Sequence, residues 1–373
     1  MDEERLPLLV FGQTARFIAQ SAAQLGYTTW VVDCFADRDT QKVADRCIRI
    51  PPLELLSIES ILASFELITQ QQRCLLIFST GIERFYELLN CLPTHIQILG
   101  NDFQVLDKLR SPQRFFPLLQ QLDIPFPETH WVQAFDKKKK RWITKDLMSS
   151  GGIHIQDTDI TNYTARHLIF QEYINGRSGS VSFLADGESV FIFGFNEQIH
   201  HTETFQLQQI INHFDISQSS KATLAKALEK LVTAISFRGY GSLDFMIDEL
   251  ANIYILELNP RLSASAELYA NNTDMLRWYI QACVEKLSAE IQQQNSEMTN
   301  VTSLSYLFAD KALFVKSEAT WPVETRDIPH ARQKIQPGEP VCTVLVEAQS
   351  HLDCDDKRHQ VETEIRKNCL CSA

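Results

Sequence analysis

The sequence lacks any hydrophobic run long enough to cross a membrane, because no apolar stretch approaches the roughly 18–20 residues that a bilayer requires. It also lacks an excess of positive charge. The formal net charge is −12, which disfavours nonspecific binding to nucleic acid or to anionic membrane. The residues before the first apolar run, "MDEER", are mainly acidic, the wrong sign for a secretory signal. These absences predict a cytoplasmic protein with no nucleic-acid or membrane partner.

Closely spaced cysteine pairs of the C-x-x-C type are absent, although the chain has nine cysteines. Scattered thiols in an acidic chain favour a reducing compartment and argue against a disulfide framework or a zinc site. The first predicted turn contains one glycine, Gly12, in place of G-x-G-x-x-G, which disfavours a nicotinamide cofactor. There is also no G-x-x-x-x-G-K-[ST] sequence, so a Walker-type phosphate loop is excluded.

The pattern of strands and helices predicts an α/β protein. The apolar run "LPLLVFG" ends in glycine, helical spacing follows in "QTARFIAQSAAQLG", and "YTTWVVD" is typical of a second strand. This strand–helix–strand unit predicts a doubly wound domain over about residues 1–100. The most linker-like stretch is "NSEMTN", and the short strands beyond it predict a small β-rich segment over residues 300–373.

The strongest chemical signal is a strand end in "YILELNPRLSAS". Because alternate side chains of a strand share a face, Glu257, Asn259 and Arg261 are expected on one side. A hairpin at "DELAN" is expected to bring Asp244 beside them. Two carboxylates and a carboxamide are hard oxygen ligands that suit Mg²⁺. From spacing alone, a polar strand end with solvated acids is nearly as good an interpretation.

Three weaker motifs lie upstream of this strand pair. In "ITKDLMSSGG", Lys145 precedes a Ser/Gly loop whose glycine amides can approach an anion closely. In "IFQEYING", an apolar strand ends at Glu172, where a purine could hydrogen-bond to the chain. Lys108 lies on an amphipathic helix in "VLDKLRSP". Taken singly, a flexible hairpin tip, an ordinary strand end and a solvated lysine explain these motifs at least as well.

The order of the four motifs resembles the ATP-grasp superfamily of ATP-dependent carboxylate ligases, over roughly residues 100–290. The start, "VFGQTARFIAQSAAQLGYTTWVVD", is similar to that of the purine-biosynthetic member. The resemblance implies an α/β protein with the ATP-grasp fold, an N-terminal doubly wound pre-ATP-grasp domain and a small β-rich C-terminal segment. The expected boundaries are 1–100 for the first domain, 101–295 for the ATP-grasp domain with its lid at about 125–175, and 300–373 for the last segment.

The resemblance also implies a role for each motif. Lys108 and Lys145 would hold the ATP phosphates, and Arg261 would face the transferred phosphoryl group or the acyl phosphate, so that Lys145 and Arg261 are the expected catalytic residues. The loop that would close over the phosphates consists of Ser149, Ser150, Gly151 and Gly152. The expected adenine contacts are Glu172, Tyr173 and Ile174. The expected metal ligands are Asp244, Glu257 and Asn259, for two Mg²⁺ ions with Mn²⁺ as a substitute.

Some positions depart from the pattern of the superfamily. Many members carry a ribose-binding acid about seven residues beyond the adenine strand, whereas this chain reads "SGS" around Gly179. The phosphate loop has only two glycines, and "IQPGEPVCTV" is not followed by the lysine of a biotinyl domain. Ser263 and Ser265 either line the substrate site or cap the next helix. His200 and His201 are candidate contacts, with exposed loop histidines as the simpler interpretation.

The reaction that the resemblance implies is ATP-dependent ligation of a small-molecule carboxylate to an amine through an acyl phosphate. Two alternatives remain open: a bicarbonate-activating carboxylase of the carboxyaminoimidazole ribonucleotide synthase type, and a non-catalytic nucleotide-binding regulator. The tail is similar to that of uncharacterised ATP-grasp proteins of one-carbon-metabolising bacteria. That similarity implies a step in tetrahydromethanopterin or methylofuran cofactor synthesis, with an amino acid such as glutamate as one substrate. A homodimer is left open.

Overall fold

The computed structural model describes residues 5–131, 140–147, 152, 155–157, 168–272, 274–293 and 300–372. The chain begins with a five-stranded parallel sheet in the order β3-β2-β1-β4-β5. Its strands are β1 (Leu8–Gly12), β2 (Thr29–Asp33), β3 (Arg46–Arg49), β4 (Cys74–Phe78) and β5 (Ile96–Ile98). Its helices are α1 (Arg16–Gln24), α2 (Arg38–Gln41) and α3 (Ile58–Thr69). All five residues of β1, "LLVFG", are buried, as is typical of a parallel strand covered on both faces.

A four-stranded antiparallel sheet follows two helices. The helices are α4 (Phe103–Arg110) and α5 (Pro112–Gln121), and the strands are β6 (Thr129–His130), β7 (Trp142–Asp146), β8 (Ile155–Asp157) and β9 (Leu168–Glu172). Their order is β6-β9-β7-β8. Asp102 caps α4 by accepting from the Val105 amide at 3.0 Å, and Pro112 occupies the first turn of α5, where its missing N–H costs nothing.

An eight-stranded antiparallel sheet forms the centre of the molecule, in the order β14-β13-β10-β11-β12-β15-β19-β17. The strands of its first half are β10 (Gly176–Asp186), β11 (Val190–His200), β12 (Leu207–Ile211), β13 (Arg238–Asp248) and β14 (Ile253–Asn259). Helix α6 (Gln218–Ile235) packs Leu224, Leu228 and Leu231 into a cluster with phenylalanines of β10 and β13. The predicted α/β class is therefore confirmed.

The C-terminal segment extends the central sheet. Its strands are β15 (Val301–Phe308), β16 (Leu313–Val315), β17 (Thr325–Arg326), β18 (Lys334–Ile335), β19 (Pro340–Ala348) and β20 (Leu370–Ser372). Strand β15 pairs with β12 as well as with β19, while β18, β16 and β20 form a separate three-stranded sheet. The remaining helices are α7 (Met275–Val284), α8 (Ala289–Gln293) and α9 (His351–Asn368).

One hydrophobic cluster joins the parallel sheet to the central sheet. Helix α1 contributes Ile18 and Ala22 to this cluster, and α7 contributes Trp278 and Tyr279. The Tyr279 hydroxyl also donates to the carbonyl of Leu99, just beyond β5, at 2.6 Å. The parallel sheet is thus fixed against the strands that carry the site described below. Within the described residues, no helix is both long and apolar enough to cross a membrane.

Candidate active site

The predicted metal ligands converge on the hairpin of β13 and β14. Asp244 lies directly opposite Glu257 in the antiparallel register, and a β-bulge follows Asp244. The Asn259 carboxamide donates to Asp244 Oδ2 and to Glu257 Oε1, each at 3.1 Å. The structure therefore brings the two carboxylates and the amide into one group, as strand periodicity predicts.

The electrostatics of this group favour a bound cation. Burial, together with the neighbouring Glu257 carboxylate, raises the pKa of Asp244 to about 8, although the Ser242 hydroxyl donates to it at 3.0 Å. Two adjacent carboxylates repel each other, and a hard divalent cation relieves that repulsion. No group of three or more His, Cys, Asp or Glu residues in the described ranges is placed to hold a metal, so the site depends on the Asn259 amide as its third ligand.

Lys145 faces this group from β7 of the four-stranded sheet. Burial lowers the pKa of the Lys145 ammonium, while Glu257 and Asp244 act in the opposite direction by attraction. The lysine is therefore within electrostatic range of both carboxylates. His200, at the end of β11, is also partly buried, and its pKa is lowered by burial and by the nearby Lys145. Lys145 thus links the two sheets at the site.

Arg261 is held by a glutamate that sequence reasoning missed. Glu83 lies in a short 3-10 helix (Ile82–Arg84) that follows β4 of the parallel sheet, and it is 4% exposed. The Arg261 Nε donates to Glu83 Oε1 at 2.6 Å, and an Arg110 guanidinium nitrogen lies 3.1 Å from the same oxygen. Burial alone would raise the pKa of Glu83, but the attraction of Arg261 and Arg110 lowers it to about 2. Glu83 is therefore an ionised bridge between two guanidinium groups.

Helix α4 directs Arg110, and not Lys108, toward the site. Arg110 donates to Asn259 Oδ1 at 3.3 Å and lies 3.8 Å from Glu257 Oε2, whereas the Lys108 side chain is exposed. Residues two apart point to nearly opposite sides of a helix, so only one of these cations can face the cluster. The spacing of Arg110 from the buried Leu106 is the signal that could have identified it. A phosphate-binding role for Lys108 stays a prediction.

The predicted adenine-binding strand end has a defined backbone geometry. Lys140 Nζ bridges Glu172 and Glu128, donating to each at 2.9 Å. The Tyr173 amide donates to the Arg141 carbonyl at 2.8 Å, and the Arg141 guanidinium lies 3.9 Å from the Tyr173 ring centroid. Among the described residues, the amide of Ile174 has no hydrogen-bond partner. That amide is a donor a purine nitrogen could use.

The predicted phosphate loop is described at one position. Ser149, Ser150 and Gly151 lie outside the described residues. Gly152 has a φ of +81°, and a Cβ built there would be 1.9 Å from the backbone oxygen of Phe205. Only glycine permits so close a backbone approach. Gly152 therefore packs against the turn between β11 and β12.

The serines after Arg261 belong to a buried hydrogen-bond network. Ser265 Oγ lies 3.1 Å from Ser182 Oγ and 2.9 Å from the Tyr240 hydroxyl, and Ser263 lies 2.9 Å from Ser265. Ser265 is 2% exposed. These contacts hold the loop that follows Arg261 in place, so Ser265 has a positioning role. Ser263 is partly exposed and lies nearer to solvent.

Comparisons with known proteins show what this chain is similar to. A family model described as an ATP-grasp domain matches residues 107–265. An uncharacterised protein of Methanocaldococcus jannaschii is 22% identical over 91% of this chain and 88% of its own length. The arginine-specific carbamoyl phosphate synthase large chain of Bacillus subtilis is 24% identical over 45% of this chain, which spans 18% of that relative.

Two solved structures share the fold over nearly the whole chain. The biotin carboxylase of Campylobacter jejuni, crystallised as a β,γ-ATP complex, superposes with a TM-score of 0.76 and 14% identity, covering 98% of this chain and 92% of that one. The L-amino acid ligase of Bacillus licheniformis superposes with a TM-score of 0.71 and 13% identity, covering 99% of both chains. At these identities the likeness establishes the architecture alone.

Proposed function

Because the chain belongs to the ATP-grasp superfamily, we propose that it is an ATP-dependent ligase that joins a small-molecule carboxylate to an amine. The γ-phosphoryl group of ATP moves to a carboxylate oxygen, which gives ADP and an acyl phosphate. The amine nitrogen then attacks the carbonyl carbon, the carbon–oxygen bond to phosphate breaks, and phosphate and a proton are released. Positioning and charge stabilisation are the protein's main contributions to such a reaction.

The observation that carries this proposal is the arrangement of charges around the β13–β14 hairpin. Asp244 and Glu257 face the ammonium of Lys145 from the neighbouring sheet. Arg261 lies beyond the strand end, fixed by Glu83. An anionic phosphate chain and a cation-binding carboxylate pair are therefore accommodated side by side. Lys145 would hold the phosphates, and Arg261 would stabilise charge on the phosphoryl group in transit.

The set of two carboxylates and one carboxamide fits Mg²⁺ because each side chain offers a hard oxygen ligand. Asp244, Glu257 and Asn259 would hold the metal, with two ions as the superfamily resemblance implies and Mn²⁺ as a substitute. When bound, the metal neutralises charge on the β- and γ-phosphates. The free amide of Ile174, next to Glu172 and Tyr173, would receive the adenine, with the Ser/Gly loop closing over the phosphates.

The substrate assignment is the finer part of the proposal. We propose an amino acid such as glutamate as one substrate and a precursor of tetrahydromethanopterin or methylofuran as the other. Support comes from the similarity of the C-terminal tail to ATP-grasp proteins of one-carbon-metabolising bacteria. The second candidate function is activation of bicarbonate, by analogy with the biotin carboxylase whose fold the chain shares. A nucleotide-binding regulator is disfavoured because binding alone does not need a three-ligand metal set.

Phosphate release from ATP tests the proposal. The purified protein is assayed with Mg²⁺ and with amino acids, pterin carboxylic acids or bicarbonate, added singly and with amines. We expect release that requires one carboxylate and one amine together, whereas release with bicarbonate alone supports the carboxylase.

The variant Glu257→Ala tests the metal assignment in the same assay. Loss of a charge that stabilises the reacting phosphates should slow turnover by about a hundredfold or more. Glu249→Ala, at the exposed turn of the same hairpin, is the matched control and should match the wild type. Near-normal turnover by Glu257→Ala would show that Glu257 is not a metal ligand.

A further inference from the structure

A second group of charged side chains lies where the first domain meets the C-terminal segment. The turn after β17 approaches the carboxyl edge of the parallel sheet, where the amides of Asp327 and Ile328 donate to the Asp39 carboxylate at 3.0 and 2.9 Å. His330 Nε2 lies 2.8 Å from the carbonyl oxygen of Ala36. In open parallel α/β sheets this edge is the usual place for a ligand.

Negative charge is in excess at this junction. Arg16 is 2% exposed and forms ion pairs with Asp327, Glu267 and Asp39. Arg326 adds a smaller attraction on Glu267. The fully buried Asp33 carboxylate accepts the amides of Ala15 and Ala36, and Asp37 lies within electrostatic range of Asp33, Asp39 and Asp327. The acidic side chains around Arg16 therefore outnumber the cations that face them.

Asp37 is the member of this group that the fold does not satisfy. It is 5% exposed, and its Oδ2 has no hydrogen-bond partner among the described residues. Burial, followed by repulsion from Asp327 and Asp33, raises the pKa of Asp37 to about 9. The hydroxyls of Thr40 in α2 and Thr325 in β17 are likewise buried and without a partner in the described ranges. Buried acceptors without partners are rare in folded proteins and call for an explanation.

We propose that Asp37, Asp39, Asp327, Thr40 and Thr325, here called the acid pocket, bind the protonated amine of a substrate. A primary ammonium has three N–H donors, which match the three acceptors that have no partner among the described residues: Asp37 Oδ2 and the Thr40 and Thr325 hydroxyls. Its positive charge is attracted by Asp39 and Asp327, whose oxygens already accept hydrogen bonds within the protein. The group of carboxylates is not arranged to hold a metal within the described residues. The inference rests on the proposed function, since it describes one end of a ligase substrate.

The acid pocket and Arg261 share a neighbour, Tyr306. Tyr306 experiences the charges of Asp327 and Glu267 and also that of Arg261, and burial raises its pKa. Tyr306 is therefore within electrostatic range of both groups. A substrate whose ammonium occupies the pocket can extend a second group past Tyr306 toward Arg261.

Hydrogen exchange with simple probes tests the inference on the full chain. The probes are 1,4-diaminobutane and L-lysine, with butane-1,4-diol as an uncharged molecule of the same length, all at constant ionic strength. We expect the two amines, but not the diol, to slow amide exchange in residues 36–42 and 325–330. In Asp37→Asn, the concentration that gives half-maximal protection should rise by about tenfold or more, because the bound ammonium favours the ionised form of Asp37, which asparagine cannot adopt.

A matched control and two further measurements make the result decisive. Asp356→Asn replaces an exposed aspartate on α9 and should respond like the wild type. Asp37→Asn should melt at or above the wild-type temperature, because it removes an unpaired buried carboxyl, and it should bind Mg·ADP normally. Protection by neither amine, or equal protection in Asp37→Asn, would overturn the inference. Amine protection in a protein that does not bind Mg·ADP would instead refute the proposed ligase function.

Discussion

Replacing Glu83 should both destabilise the protein and displace Arg261 from its position at the end of β14, because this carboxylate bridges Arg261 and Arg110. Glu83 is fully buried and its pKa falls from 4.5 to about 2. A fall in pKa of that size corresponds to about 3 kcal/mol of stabilisation of the folded state. Removal of one partner from a buried ion pair typically costs about 3–5 kcal/mol. We therefore expect Glu83→Gln to lower the free energy of unfolding by about 3 kcal/mol at pH 7.

Urea unfolding, followed by tryptophan fluorescence, measures this change. Glu87→Gln, an exposed glutamate in the next turn, is the matched control and should change the free energy of unfolding by less than about 0.5 kcal/mol. Because the pKa of Glu83 is depressed in the folded state, its contribution is present above pH 4.5 and is lost as the pH falls toward 2. The difference between wild type and Glu83→Gln should therefore narrow over that acidic range.

Turnover provides an independent readout of the same variant. With Glu83 neutral, Arg261 and Arg110 lose the anion that separates their like charges, so Arg261 should leave its position at the strand end. We expect kcat to fall while the affinity for ATP changes less. A Glu83→Gln protein that unfolds at the wild-type urea concentration and retains the wild-type kcat would refute the role assigned to this bridge.

Three further predictions follow from the site. Lys145→Met should weaken ATP binding by about 10- to 100-fold because it removes a charged phosphate donor. Lys226→Met, which replaces an exposed lysine of α6, should bind ATP within about twofold of the wild type. Equal losses of affinity in isothermal titration would contradict the role assigned to Lys145. Gly152→Ala should lower the free energy of unfolding by about 1–3 kcal/mol, because the new Cβ overlaps the Phe205 backbone. The control Gly338→Ala also replaces a glycine of positive φ, but in open surroundings, and should lower the free energy of unfolding by about 1 kcal/mol. Identical urea midpoints for the two variants would refute the packing argument. Without Mg²⁺, Asp244→Asn should melt at a higher temperature than the wild type. This difference in melting temperature should grow between pH 4 and 8, because burial and repulsion raise the pKa of Asp244. Addition of Mg²⁺ should raise the melting temperature of the wild type alone.

Local periodicity accounts for the part of the fold and site that the sequence could predict. Alternation in "YILELNPR" predicts a strand with Glu257 and Asn259 on one face, and the structure has β14 with both side chains against Asp244. The helical spacing of "SSKATLAKALEKLVTAISF" likewise corresponds to α6. These features depend on neighbours in the chain, so a short window of residues contains the information.

Long-range pairing accounts for what the sequence could not predict. The pattern after residue 300 indicated a small β-rich segment, but nothing local specifies that β15 pairs with β12. The choice of partner depends on which sheet edge is open after the rest has folded. Glu83 was missed for the same reason, since a glutamate in a short turn has no local signature and its role comes from arginines 27 and 178 residues away. Arg110 differs, because its position relative to Leu106 was readable.

The pairing of Arg16 with Asp327 has a consequence for synthesis of the chain. The two residues are 311 positions apart, so a ribosome releases the whole parallel sheet long before the anion that faces Arg16 is made. Domains generally fold in order from the N-terminus during translation. The parallel sheet, however, carries the buried cation of Arg16, whose charge is neutralised in part by Asp327 in the C-terminal segment. The nascent first domain is therefore expected to remain only loosely closed until translation ends. A prematurely terminated chain should expose the carboxyl edge of its sheet to chaperones and proteases.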